Sequence, residues 1–357
     1  MPRHRTLFGR FVLEDLRRRG APDPDLLALL NDLQRACRLI GGAVARGPTD
    51  AVAPQTGVNT HGEIQKPMDV IANKIVISSC EPGGQLCGMV SEELEEAYVT
   101  PAQYPRGPYM LVFDPLDGSS NLDINMTVGT IFSILRAPPG VEFPTAGDFL
   151  QSGTEQVAAG FAIYGPTSML VITLGEGTHG FTLHREAGIY VLTHPNMRIP
   201  EAASEFAINS SNARFWEPPV RRYVEECVLG KEGPREADFN MRWIACLVAE
   251  VHRILVRGGV FLYPRDTKDP NKQGRLRLLY EANPMAMIIE QAGGGASTGR
   301  ARILELEPTD IHQRIPVILG SRLEVERLVA YHQAYDLGEP TVFETPLFNT
   351  RSLFRTA

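Results

Sequence analysis

The sequence predicts an α/β protein with two mixed-sheet subdomains. Three observations carry that prediction. Apolar runs of strand length recur at short, regular spacing across residues 129–192. Apolar residues recur at helical spacing over 25–45, 68–77, 238–256 and 285–292. Predicted strands run out into carboxylates at Glu92, at Asp114 with Asp117, and at Glu281, and in open α/β sheets ligands bind beyond strand C-termini.

The 357 residues, 43% hydrophobic and 22% charged, are enough for a large core and for two units. We divide the chain into 1–199, 200–337 and a tail, 338–357. The net charge is −7 with Lys and Arg spread along the chain, so no nucleic-acid stripe is expected. A mildly acidic protein that binds an anion must concentrate positive charge locally. Cys37, Cys80, Cys87, Cys227 and Cys246 form no close Cys-x-x-Cys, and reduced cytosolic thiols are the default. Cys80 and Cys87 could pair only if the Pro-Gly-Gly between them folds back. The N-terminus lacks a signal-peptide core, and no stretch is long enough to span a bilayer. No membrane partner and a cytoplasmic location are expected.

The first clear helix is residues 25–45, with Leu26, Leu29, Leu30, Leu33, Ala36, Cys37, Ile40 and Val44 at helical spacing and Gly47-Pro48 as its stop. Residues 48–67 read as a loop carrying Glu63. A loop of that length is a flap able to bring an acid into a site, or a solvated linker. Asp69 opens the helix 68–77. Residues 86–93 read as a strand running into Glu92 and Glu93, although two acids also suit the first turn of a helix. The strand 109–113 stops at Asp114, because Pro115 cannot donate a ladder hydrogen bond. Asp117 follows, then Gly118, Ser119 and Ser120, which let a ligand approach the backbone. A helix starting here would aim its N–H groups at the same spot. Two carboxylates suit a divalent cation, and the small residues suit a phosphate. Together they point to phosphoryl chemistry.

Strands follow at 129–135, 157–164, 169–174, 180–183 and 188–192, with a polar loop at 138–154, and suggest one large, partly antiparallel sheet. Residues 193–204, with Pro195 and Pro200, read as a connection between subdomains. The second half opens with a strand at 206–209. A helix over 238–256 would place Met241, Ile244, Val248, Val251 and Leu255 on one face, stopped by Gly258-Gly259. A strand at 260–263, a charged loop at 265–274 and a strand at 276–281 ending in Glu281 come next. Asn283-Pro284 suits an N-cap and first turn for the helix 285–292. A short strand at 316–320 precedes the tail.

Four acids meeting at strand ends would repel strongly without cations among them. All-oxygen ligands select Mg²⁺ or Mn²⁺ over Zn²⁺. Two such ions can clamp a phosphoryl group, activate water and stabilise the leaving alkoxide.

The chain resembles the class I fructose-1,6-bisphosphatases of the lithium-sensitive sugar-phosphatase superfamily, over about Leu26 to Leu328. The resemblance is carried by Ser91-Glu92-Glu93, by the run from Phe113 to Asn121, by Gly259 to Pro264, and by Leu276 to Pro284. It implies a layered α-β-α-β-α fold, a homotetramer, two or three Mg²⁺ ions (Mn²⁺ can substitute) and hydrolysis of the 1-phosphate of a sugar bisphosphate. It further implies metal ligation by Glu92, Asp114, Asp117, Glu281 and the backbone carbonyl of Leu116. Glu63, Glu93 and Asp69 match acids that serve the metals and the attacking water. Asp117, Gly118, Ser119 and Ser120 lie at the 1-phosphate, and Asn209, Arg242, Tyr263 and Arg275 match the sugar and 6-phosphate pocket, with Arg242 supplied by a neighbouring subunit.

Four places depart from the family pattern. Arg275 stands for a usual lysine, Trp243 and Asn212 for usual tyrosines, and the AMP-site positions read Pro24-Asp25-Leu26-Leu27 and Pro108-Tyr109. We expect a pocket that also admits sedoheptulose-1,7-bisphosphate, as in a carbon-fixation (Calvin cycle) type as well as gluconeogenesis, and weak or absent AMP inhibition. The 138–154 loop has no cysteine, so no thioredoxin switch is expected there. The rival readings are another phosphatase of the superfamily, acting on inositol or nucleotide phosphates, and a non-catalytic sugar-phosphate sensor.

Overall fold

The computed structural model describes residues 6–47, 57–58, 64–269 and 272–338, with no side-chain description for 57, 58, 64 and 65. Glu63, most of the 48–67 loop and all of the tail beyond Gly338 lie outside the described residues.

Helices α1 (Phe8–Arg18), α2 (Pro24–Arg46) and α3 (Pro67–Cys80) open the chain, with the short antiparallel strands β1 (Gly57–Val58) and β2 (Ile64–Gln65) between α2 and α3. Then come β3 (Leu86–Ser91), β4 (Tyr98–Val99), β5 (Tyr109–Asp117), β6 (Val128–Arg136), β7 (Ala158–Tyr164), β8 (Ser168–Thr173), β9 (Thr178–His184) and β10 (Ile189–Met197). They form one sheet in the order β10-β9-β8-β7-β6-β5-β3-β4, in which β3 and β5 are parallel and the other pairs antiparallel. The second half holds β11 (Glu205–Ile208), α4 (Pro218–Leu229), β12 (Asn240–Met241), α5 (Leu247–Arg257), β13 (Val260–Tyr263), β14 (Leu276–Arg277), α6 (Asn283–Gln291), β15 (Gly295–Ser297), β16 (Arg314–Ile315), β17 (Val317–Gly320) and α7 (Arg322–Asp336). Its sheet runs β12-β11-β13-β17-β15, with β12, β11 and β13 parallel.

Side-chain alternation stacks these elements into five layers. Leu111, Phe113, Ile134 and Leu170 of the large sheet bury against Leu29, Leu33, Ala72 and Val76 of α2 and α3. The opposite face, through Ile131, Phe161 and Val171, packs on Val248 and Val251 of α5 and Met285 and Ile289 of α6, and those helices also meet Phe261 and Leu319 of the second sheet. The outer face of that sheet, through Phe206, Val260 and Ile318, is covered by Val220 and Tyr223 of α4 and Leu328 of α7. The order α-β-α-β-α is the expected one.

Several local expectations need correction. Residues 238–256 are not one helix. Asn240 and Met241 pair with β11, Ala245 has φ 59°, and α5 begins only at Leu247. Glu250 fixes this break by accepting the Ile244 N–H at 2.7 Å. Residues 276–281 are a two-residue strand followed by a π-helical turn, Leu278–Ala282, so Glu281 lies in that turn and Asn283 continues it as helix instead of capping. β5 does not stop at Pro115. It continues to Asp117 through an irregularity between Asp114 and Asp117, at a point where pairing with β3 has already ended at Phe113, so the missing proline donor costs no ladder bond there. β10 likewise runs on to Met197, bent on either side of His194. Helices α1, α4 and α7 were not anticipated.

Candidate active site

β5 delivers Asp114 and Asp117 to the layer between the two sheets, and the π turn delivers Glu281 to the same place. One oxygen from each of these buried carboxylates lies within 4.8 Å of the others. The Asp114 side chain accepts the Leu116 N–H at 2.9 Å, which bends the strand at Pro115, and the Thr130 hydroxyl holds the Pro115 carbonyl at 2.8 Å. Glu281 accepts the Arg277 N–H at 2.6 Å. Glu92 joins from the end of β3, where its N–H bonds the Phe113 carbonyl at 3.2 Å, and its carboxylate meets the Arg277 guanidinium at 2.7 Å.

Burial pushes the carboxyls of Asp114, Asp117 and Glu281 above their ordinary values. For Asp114 the charges of Glu92, Asp117 and Glu281 add to it. Glu281 is raised to about 8, with Arg277 opposing the shift. Protons and one guanidinium are partial substitutes for cations in such a cluster. An all-carboxylate set of this kind fits a hard divalent metal.

On the side of α3, Asp69 accepts the Lys66 N–H at 2.8 Å through one oxygen, while its other oxygen is buried without a hydrogen-bond partner. Burial raises its pKa, and the Lys66 N–H, Ser119 hydroxyl and Lys66 charge oppose that. Glu93 follows Glu92 half-buried, its N–H on Ser91 Oγ at 3.2 Å. Ser119 and Ser120 open a short 3-10 turn after Gly118, whose φ is 72°. Lys66 Nζ reaches the Ser119 carbonyl at 3.2 Å. Thus Glu92, Asp114, Asp117 and Glu281 are brought together, and Asp69 adjoins Ser119.

The distal residues gather at the C-terminal ends of three parallel strands. Arg242 follows β12, Asn209 follows β11, and Tyr263 ends β13, in register with β11 through Ile208 and Leu262. Trp243 stacks on Phe261 at 5.9 Å and meets Tyr263 edge-on. Arg275 lies 6.0 Å from the Tyr263 ring and pairs with Asp266 at 3.1 Å. Burial raises the Tyr263 phenol pKa; Arg275 opposes this and Glu281 adds to it. The adjoining cavity of about 270 Å³ is lined by Lys268, Lys272 and Arg275 together with Asp266 and Asp269, which pair with Arg275 and Lys272 respectively. The Oδ1 of Asn209 is engaged in its own turn, accepting from Ser211 Oγ at 2.6 Å. Arg242 is exposed, 3.7 Å from Glu205.

Two contributors escaped the sequence reading. Arg277 bridges Glu92 and, at 3.9 Å, Glu281; a lone cation inside the apolar run 276–280 was the available signal. Cys246 Sγ donates to Asp117 Oδ2 at 3.0 Å. Burial pushes that thiol well up, and the Asp117 charge adds to the shift. The predicted helix over 238–256 concealed this contact.

At the far end of β5, Asp23 caps α2, accepting the Leu26 N–H at 2.9 Å, the Tyr109 hydroxyl and the Arg136 guanidinium at 3.1 Å. Burial would raise its pKa, but those three donors bring it below the usual value.

Two mixed sheets with helices between them enclose a buried carboxylate cluster drawn from both halves of the chain, an α/β architecture with a site suited to a divalent metal and phosphoryl chemistry. Comparison with known proteins narrows this. Residues 6–195 match the model of the fructose-1-6-bisphosphatase N-terminal domain, and residues 199–333 that of its C-terminal domain. The chain is 59% identical over 355 residues to a class 1 fructose-1,6-bisphosphatase of Methylacidiphilum infernorum, covering 99% of both chains. It is 57% identical over 354 residues to that of Hydrogenophilus thermoluteolus, covering 99% of this chain and 98% of the other. It is also similar to the crystal structure of Leishmania major fructose-1,6-bisphosphatase in holo form, with TM-score 0.85 and 35% identity over 92% of this chain and 99% of that one. The chain belongs to the class 1 fructose-1,6-bisphosphatase family, and so to the phosphoric monoester hydrolases.

Proposed function

We propose that this chain hydrolyses the 1-phosphate ester of D-fructose 1,6-bisphosphate to D-fructose 6-phosphate and phosphate, with Mg²⁺ as its metal and Mn²⁺ as a working substitute. The observation that carries the reading is the buried meeting of Asp114, Asp117 and Glu281 within 4.8 Å. Glu92 and the Leu116 carbonyl complete the ligand set. Bound Mg²⁺ supplies charge neutralisation for the phosphate and the leaving C1 oxygen, and lowers the pKa of water. Asp69 and Glu93 help take the proton of the attacking water, and Glu63 of the 48–67 loop brings a further acid to the metals. Gly118, Ser119 and Ser120 leave room and donors for the 1-phosphate. Asn209, Tyr263 and Arg275, with Arg242 of a neighbouring subunit, grip the sugar and the 6-phosphate; the working form is then an oligomer, a homotetramer by resemblance to the family. The same reading puts the enzyme in the cytoplasm and divides the chain into units 1–199 and 200–337 with a tail 338–357.

The departures at Trp243, Asn212 and Arg275 favour a second substrate, sedoheptulose-1,7-bisphosphate. The indole of Trp243 rests on Phe261 and Tyr263 and offers no hydroxyl to a distal phosphate. Arg275 binds phosphate in a planar, bidentate manner that a lysine cannot. Phosphate release from the six- and seven-carbon bisphosphates, measured side by side with Mg²⁺ and then with EDTA, tests both parts. Turnover of both, abolished by EDTA, is expected. Metal-independent turnover, or inositol phosphate as the preferred substrate, overturns the first part. A seven-carbon kcat/KM about a thousandfold below the six-carbon value overturns the second.

A further inference from the structure

Asp117 is held from outside the carboxylate cluster by a segment of the second half of the chain. Both donors act on its Oδ2: the Val248 N–H at 2.7 Å and Cys246 Sγ at 3.0 Å. Two further bonds fix the segment itself. The Ile244 N–H goes to Glu250 at 2.7 Å, and the Ile244 carbonyl accepts from the Asn121 side chain at 3.0 Å. Ala245, between these ties and the thiol, has φ 59°, an unfavourable conformation for a residue with a side chain.

The other side of the contact is shaped to match. A Cβ on Gly118 would lie 2.7 Å from Cys246 Cβ, and a Cβ on Gly129, the strand partner of Asp117, would lie 2.6 Å from Val248 Cγ1. Two glycines beside one carboxylate thus admit the 246–248 segment at close range. Cys246 itself is 3% exposed.

We propose that Cys246 is a positioning residue for the metal site: its thiol, with the Val248 N–H, saturates Oδ2 of Asp117 and turns Oδ1 toward the cation. The inference rests on the reading of Asp117 as a metal ligand. A thiol is a weak donor, so it orients the carboxylate while leaving charge on it for the metal. Outer partners of this kind change metal affinity by about 10–100-fold when removed.

The test compares Cys246→Ala, Cys246→Ser and Asp117→Asn in the full chain. Mn²⁺ binding to the metal-free protein is followed by electron paramagnetic resonance of the free ion, and Mg²⁺ activation curves are recorded on fructose 1,6-bisphosphate. Cys246→Ala is expected to weaken Mn²⁺ binding about tenfold and to raise half-saturating Mg²⁺ equally, with a much smaller fall in kcat at saturating Mg²⁺. Cys246→Ser, which restores a donor, is expected to stay within about threefold of the natural chain. Mn²⁺ binding by Cys246→Ala within about twofold of the natural chain, with Asp117→Asn greatly weakened, overturns the positioning role and leaves the ligand reading standing. Equal losses in the alanine and serine variants also overturn it, because the hydrogen bond is then not what matters. Unimpaired Mn²⁺ binding by Asp117→Asn overturns the ligand reading itself.

Discussion

Arg277 donates to Glu92 at 2.7 Å from a position beside Glu281, so one buried guanidinium joins acids from the two halves of the chain. Removing one member of a buried pair leaves the other uncompensated, at about 3–5 kcal/mol. Arg277→Met is therefore expected to lose about 3 kcal/mol of stability in EDTA and to regain part of it with Mg²⁺. Urea unfolding with and without metal checks this; a loss equal in both conditions contradicts it.

The raised carboxyls fix the sign of the pH dependence of the metal-free chain. Between the ordinary carboxyl range and the folded value of about 8 for Glu281, the folded chain holds more protons than the unfolded one. The stabilising contribution is complete below the unfolded pKa and is lost as pH rises through the folded pKa. In EDTA the melting temperature is expected to fall from mildly acidic to mildly alkaline pH. Mg²⁺ should oppose that fall, because it takes the place of the protons. A melting temperature in EDTA that climbs over the same window would falsify the account.

Asp114→Asn removes a charge at the centre of the cluster while keeping the shape and the acceptor for the Leu116 N–H. Turnover is expected to drop by about two to three orders of magnitude. Circular dichroism should stay unchanged, and stability in EDTA should rise slightly as repulsion is relieved. Near-normal turnover would remove Asp114 from the metal site.

At the opposite end of β5, Asp23 already supplies an anion to the start of α2, to Tyr109 and to Arg136. Added AMP should not inhibit in the micromolar range, since an internal carboxylate holds those donors. Asp23→Ala is expected to cost about 1–2 kcal/mol through loss of the cap and its partners. Inhibition of the natural chain by micromolar AMP, in initial-rate assays, would sink the prediction.

The sequence itself set the helix α2 by its apolar stripe, the large sheet by its regularly spaced apolar runs, and the site acids by the Asp-Pro-Leu-Asp-Gly pattern. These signals are local: periodicity and turn chemistry act over a few residues. Whether β5 ends at Pro115 was not local. It depended on β3 having already left the ladder, which lets a proline sit in a continuing strand. The helical stripe over 238–256 was likewise overridden at its first nine residues, because pairing of Asn240 and Met241 with β11 and the capture of the Ile244 N–H by Glu250 outweighed propensity. Sequence spacing alone named Glu92, Asp114, Asp117 and Glu281 as candidates. Only the packing of the second half against the first decided that Arg277 lies between two of them and that Cys246 and Val248 hold Asp117, because hydrogen bonds between residues more than a hundred positions apart exist only once both halves share one core.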